Sequence, residues 1–203
     1  IMQKLVSWRD CKIAALARSF ENMSDMPGAD KVSFFSYDLS VKENIDKAMD
    51  YYQRAAKLNH TGALYALGLI YEENSDYHDD HRAIEYYQKG AKLNDARSMY
   101  RLALYLDEGE FIERDYQQAY SYLQKAAKSN YGPAQNMLGV YLEDGLGCKK
   151  DANLAFNMYL SAANSDYYAP AIFNLGRCYF YGIATTVDKQ TAFEMFFKAA
   201  NLD

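Results

Sequence analysis

The chain has 203 residues, half of them hydrophobic and 24% charged, with a net charge of −5. That balance is too apolar for a disordered chain and too acidic for duplex nucleic acid without a segregated basic face, which the sequence lacks. No apolar run approaches a membrane span of about 20 residues. Three irregularly spaced cysteines, Cys11, Cys148 and Cys178, make no disulfide framework, which points to a reducing, cytoplasmic setting.

In chain order, the N-terminal segment reads as an amphipathic helix over 5–22 without the unbroken apolar core of a signal peptide. The sequons Asn22-Met23-Ser24 and Asn59-His60-Thr61 keep a route through the endoplasmic reticulum open. Residues 23–44 form an insertion whose KVSFFSYDLS stretch reads as extended. It is either a cap on the apolar end of a helical stack or a functional insertion.

Beyond it the chain repeats. AMDYYQRAA, AIEYYQKGA, AYSYLQKAA, AFNMYLSAA and AFEMFFKAA open at Ala48, Ala83, Ala119, Ala155 and Ala192, spaced by 35, 36, 36 and 37 residues. A second block, LGLIYEEN and its relatives, opens at Leu67, Leu102, Leu138 and Leu175. An aspartate follows each at the same distance: Asp80, Asp115, Asp151 and Asp188. Both blocks carry helical stripes, such as Ala48, Tyr51, Tyr52, Ala55 and Ala56. Small residues in a stripe let helices approach closely, and aromatics fill the next layer. First helices are expected at 5–22, 61–73, 96–108, 132–144 and 168–181. Second helices are expected at 42–58, 80–93, 115–129, 151–164 and 188–202. The whole is one domain: a degenerate first unit over 1–58, then four regular units over 59–203. Neither helix of a pair buries its stripe alone, so the pairs stack.

YLEDGLGCKKD, residues 141–151, falls in one of these loops. Gly145 stands where a left-handed helix cap is wanted, and Asp151 where the next helix starts. Gly109 and Gly182 recur in the sister loops, whereas Gly147, Cys148 and the two lysines do not. Recurrence marks structure, and no strand precedes the loop as a phosphate-binding motif requires.

These residues resemble the Sel1-like repeats, relatives of the tetratricopeptide repeats. The motif is carried by Ala134, Leu138, Gly139, Gly145, Asp151, Ala155, Tyr159, Ala162 and Ala163. Ser98, Ala103 and Asn74 depart from it, and the likeness covers residues 42–203. It implies an all-α fold, an α-solenoid (a right-handed superhelix) of about five antiparallel helix pairs. It also implies a non-enzymatic scaffold or adaptor that binds a protein segment in a concave groove, with no cofactor. Carrying over the peptide-contacting positions of tetratricopeptide units marks four rows. They are Tyr65, Leu69, Glu72 and Glu73; Tyr100, Leu104, Asp107 and Glu108; Asn136, Val140, Glu143 and Asp144; and Phe173, Arg177, Phe180 and Tyr181. Such a groove is acidic with an aromatic end, and suits a basic peptide or helix bearing an apolar anchor. An equal reading has the aromatics as inter-repeat packing and the acids as solvated helix ends.

Two other chemistries are weighed against this. His78 and His81 flank Asp79 and Asp80 and could ligate a metal, but without the helical spacing of a catalytic zinc pair. Cys148 beside Lys149 and Lys150 could be a reactive thiol, but no His–Asn or His–Asp arrangement accompanies it. Phe193, Phe196 and Phe197 line the last helix, so this end is expected to meet a partner, another copy or further repeats.

Placing Gly139 at a helix–helix contact has a measurable consequence. Gly139→Leu should cost about 1–3 kcal/mol by overpacking. Lys149→Ala, in the loop, should stay within about 0.5 kcal/mol of the parent. Urea melts of the two variants decide it, and equal stability would show the register to be wrong.

Overall fold

The computed structural model describes residues 42–166 and 168–202. Among them are nine α-helices and no strand: α1 Lys42–Lys57, α2 Thr61–Glu73, α3 Asp80–Lys92, α4 Ala96–Glu108, α5 Tyr116–Lys128, α6 Gly132–Asp144, α7 Ala152–Asp166, α8 Ala169–Tyr181 and α9 Lys189–Ala200. Each lies within about two residues of its predicted span. The predicted helix 5–22 and the insertion up to residue 41 lie outside the described residues. No described helix is long and apolar enough to cross a membrane. The chain divides into two compact units, residues 1–93 and 94–203. In the first, α2 packs on α1 and pairs with α3. In the second, the pairs α4–α5, α6–α7 and α8–α9 follow one another, with α5 against α6 and α7 against α8.

The loops within pairs share one backbone device. The amide of an aspartate returns to the carbonyl of the third residue from the end of the first helix: Asp115 to Leu106 at 3.1 Å, Asp151 to Leu142 at 2.9 Å and Asp188 to Tyr179 at 2.9 Å. The same aspartate then caps the second helix, its carboxylate accepting from Gln118, Leu154 or Thr191. In the α2–α3 loop the residue that does both is Asp79, not Asp80 as the spacing had suggested. The Asp79 amide reaches the Tyr71 carbonyl at 2.8 Å, and its carboxylate accepts from the Arg82 amide at 3.1 Å. The cause lies at the helix end. Gly109, Gly145 and Gly182 end their helices in the left-handed region, with φ of 71°, 78° and 73°. Asn74 instead leaves α2 extended, at φ −90°. That loop is one residue shorter, so counting forward from the helix overshoots the cap.

Within a pair, the helices meet where a backbone without a side chain faces a ring. A methyl group placed on Gly139 would lie 2.5 Å from the Tyr159 ring, and one on Gly176 would lie 2.7 Å from Phe196. Gly68 faces Tyr87 in the same way. In the remaining pair both partners change together: Ala103 stands in place of glycine and Leu123 in place of the ring, and both are buried. Around this contact Ala83, Ala119, Ala155 and Ala192 are fully buried. Fully burying an aromatic or aliphatic side chain stabilises by about 1.5–3 kcal/mol, so the filled contact outweighs any single cap.

The size match predicts a rescue. Gly139→Ala should cost about 1–3 kcal/mol. Adding Tyr159→Leu recreates the Ala103–Leu123 combination, so the double variant should be more stable than the sum of the single losses by about 0.5–3 kcal/mol. A double-mutant cycle by urea denaturation measures the coupling, and strict additivity would refute the match.

Candidate functional site

The first helix of each pair carries the candidate contact positions. In the first unit, Tyr65 and Leu69 on α2 are buried. The Tyr65 ring lies 5.9 Å from that of Tyr87, whose hydroxyl donates to Glu72. That row is therefore bound into the α2–α3 pair.

In the second unit the positions fall on α4, α6 and α8. Tyr100 meets Tyr131 edge to face at 5.7 Å and hydrogen-bonds Tyr168. Asp107 accepts the Tyr141 hydroxyl at 2.6 Å. Asn136, Glu143 and Arg177 join a single network. Asn174 Nδ2 donates to Asn136 Oδ1 at 2.9 Å. Arg177 Nη1 donates to Asn174 Oδ1 at 3.1 Å, and Nη2 to Glu143 Oε1 at 2.9 Å. The Tyr159 hydroxyl completes it by donating to Glu143 Oε2 at 2.8 Å. The network ties α6 to α7 within one pair and to α8 of the next. Phe180 takes the place of Glu143 on α8, and Phe196 the place of Tyr159 on α9, so the last pair substitutes apolar rings for the carboxylate and hydroxyl.

Charge is consequently less free than a row of acids suggests. Glu143 is neutralised by Arg177. Burial disfavours the Arg177 charge, but the Glu143 carboxylate outweighs it and holds the guanidinium above its ordinary value. Burial, then the bond to Glu143, pushes the Tyr159 hydroxyl well above the tyrosine range, and burial with Asp107 does the same for Tyr141. The remaining acids, Glu108 and Asp144, are exposed. Phe173 is 50% exposed, Phe180 41% and Tyr181 67%. Phe173 leans on Phe196 at 5.2 Å, Phe180 meets Tyr181 at 4.9 Å, and Lys189 Nζ sits 5.9 Å from the Phe180 ring centre. Asn174 and Tyr159 were missed in the sequence. Tyr159 enters the sequence reading only as a residue of the repeat motif, and Asn174 lies one residue outside the carried-over pattern.

The two other chemistries find different surroundings. Cys148 donates weakly to the Tyr141 carbonyl at 3.5 Å, and burial raises its thiol pKa, opposite to the activation its lysine neighbours suggest. Burial pushes the Cys178 thiol up to about 11. His78 has both ring nitrogens engaged, Nδ1 with the Glu72 carbonyl at 2.9 Å and Nε2 with Asp80 at 3.0 Å. Among the described residues no three His, Cys, Asp or Glu side chains gather as a metal site would require.

The Sel1 repeat family model matches residues 33–60, 61–95, 96–131, 132–167 and 169–203. A Sel1 repeat protein from Oxalobacter formigenes has a similar structure, with a TM-score of 0.72 and 24% identity over 95% of this chain and 73% of that one. The protein c5321, a protective antigen of uropathogenic Escherichia coli displaying an SLR fold, is 27% identical with a TM-score of 0.69; the likeness covers 76% of this chain and 33% of c5321. A Sel1 repeat protein from Klebsiella pneumoniae is 25% identical with a TM-score of 0.60, over 76% of this chain and 74% of that one. No curated protein sequence matches.

The buried hydroxyls set a pH response. Tyr141 and Tyr159 hold their protons more tightly when folded than the unfolded tyrosine value of about 10. Their contribution is therefore present below that value and lost as pH rises above it. A tyrosinate absorbance titration should show a fraction of the tyrosines ionising only as the helices melt. Tyr159→Phe should cost about 1–3 kcal/mol at neutral pH and flatten the alkaline loss. An unchanged alkaline melt in that variant would contradict the role given to Tyr159.

Proposed function

The chain belongs to the Sel1 repeat family, and on that premise we propose that it is a non-enzymatic adaptor that grips a segment of another protein on the α4–α6–α8 face. Sel1 repeat proteins are in general scaffolds for protein–protein interaction. The observation that carries the finer reading is the exposure of Phe173, Phe180 and Tyr181 beside a polar network that is already satisfied. Large rings left in water on a well-packed surface favour an apolar anchor, and a pre-formed network loses little entropy on binding. The preference for a basic segment rests on Glu108 and Asp144, with Asp107 beside them, rather than on Glu143. The bound segment runs from Tyr100 past Asn136 to the aromatic end, with its Lys or Arg side chains over the exposed acids. The raised thiol pKa of Cys148 favours this reading over nucleophilic catalysis. We place the work of the adaptor in the cytoplasm, on cysteine usage alone.

The test is to recover the partner by affinity purification with cross-linking from native cells and measure its affinity for variants. Phe173→Ala, at an exposed ring, should leave the fold intact and weaken binding by at least about 2 kcal/mol. Tyr100→Ala should weaken it less, and added salt should weaken the parent through the acids. Binding that survives Phe173→Ala and Phe180→Ala but fails in Phe193→Ala and Phe197→Ala would move the interface to the α9 face.

A further inference from the structure

Two rings on α9 stand in water, Phe193 at 69% exposure and Phe197 at 64%. They lie nearly parallel, 20° apart with centres separated by 6.4 Å, and form one apolar plate along the helix. With Ala200, also exposed, they fall at i, i+4 and i+7 on one stripe. The sister helices show which part of this stripe a neighbouring pair covers. Phe156 of α7, the counterpart of Phe193, meets Tyr179 of α8 edge to face at 5.8 Å. Ala127 and Ala163, the counterparts of Ala200, are buried. The counterparts of Phe197 behave differently. Gln124 is exposed although α6 packs on α5, and Leu160 of α7 is still 41% exposed beside α8. A following pair therefore leaves this position in water, and Gln53, Gln88 and Gln124 hold it in α1, α3 and α5. Phe197 is the anomaly: a large ring, continuous with Phe193, at a position that stacking of the repeats does not cover.

The charges beside the plate select its occupant. Glu194 and Lys198 run along one flank of the stripe, one turn apart. On the other flank Lys189 is drawn to the Phe180 ring of α8, at 5.9 Å. A second α9 laid antiparallel on the first, about a twofold axis near Met195, brings Phe193 onto Phe197 of the second copy, and the reverse. The same axis sets Glu194 opposite Lys198 of the second copy, again in both directions. A parallel arrangement instead sets Glu194 against Glu194 and Lys198 against Lys198. The stripe is self-complementary in apolar contact and in charge, and only in the antiparallel sense.

We propose that the α9 stripe is the interface of a symmetric dimer, its occupant the same stripe of a second copy of this chain. Two rings of about 150–250 Å² each fall short of the roughly 800 Å² per partner of a stable complex, so the dimer is a weak one. It needs no other protein, so it stands or falls apart from the adaptor reading.

Sedimentation velocity of the full chain at low salt, from about 10 µM to about 1 mM, should show a monomer–dimer equilibrium. Phe197→Gln, which restores the sister residue at an exposed site, should leave the melting temperature of the dilute chain unchanged and weaken dimerisation at least about tenfold. Glu194→Lys or Lys198→Glu alone sets like charges opposite each other and should weaken it about threefold or more. The double variant, with both charges exchanged, should regain the affinity of the parent. The proposal is overturned by a monomer at every concentration, by growth past the dimer, by full dimerisation of Phe197→Gln, or by a double variant no better than the single ones.

Discussion

The close approach of two helices within a pair, a bare backbone against a ring in three of the four described pairs, is the contact on which the rest depends. It brings Gly139 against Tyr159 and Gly176 against Phe196. Helices packed this closely keep the small residues of the contact buried, Gly139 and Ala155 among them. Because the Tyr159 ring sits against Gly139 on α6, its hydroxyl comes out at the height of Glu143. A packing constraint thereby positions a polar network, and that network positions Arg177 on the following pair.

The consequence for recognition is a surface rigid in its polar part and open in its apolar part. Asn136, Glu143 and Arg177 have their bonds made within the protein. A partner need not desolvate an isolated charge there, which would be costly. Phe173, Phe180 and Tyr181 have exposed ring area to offer. For the proposed adaptor role, specificity would thus rest on shape and an anchoring side chain, with electrostatics confined to the exposed acids.

Much of this architecture was legible because a repeat states each rule several times. Recurring alanines and leucines marked the helices to within a turn, and recurring glycines marked their ends. Where one copy breaks the rule, forward counting failed: Asn74 shortens its loop and moves the cap to Asp79. The candidate site was less legible, because a residue's position on a first helix does not tell whether its side chain is spent internally. Glu72, Asp107 and Glu143 read alike in sequence, yet they bond to Tyr87, Tyr141 and Tyr159 in two different geometries. Asp107 turns to the next pair because Leu123 offers it no hydroxyl. Such choices depend on partners 15–34 residues away, beyond any local pattern.

The matched sizes at Ala103–Leu123 and Gly139–Tyr159 also bear on how such a chain can grow. A crossover inside a loop between paired helices would join a first helix from one copy to a second helix from another, setting a methyl group against a ring or leaving a void against leucine. A crossover in the turns at Asn94 or Asn130 transfers both halves of the contact intact. The helix pair, from one asparagine turn to the next, is accordingly the smallest segment that can be duplicated, deleted or exchanged without repair elsewhere.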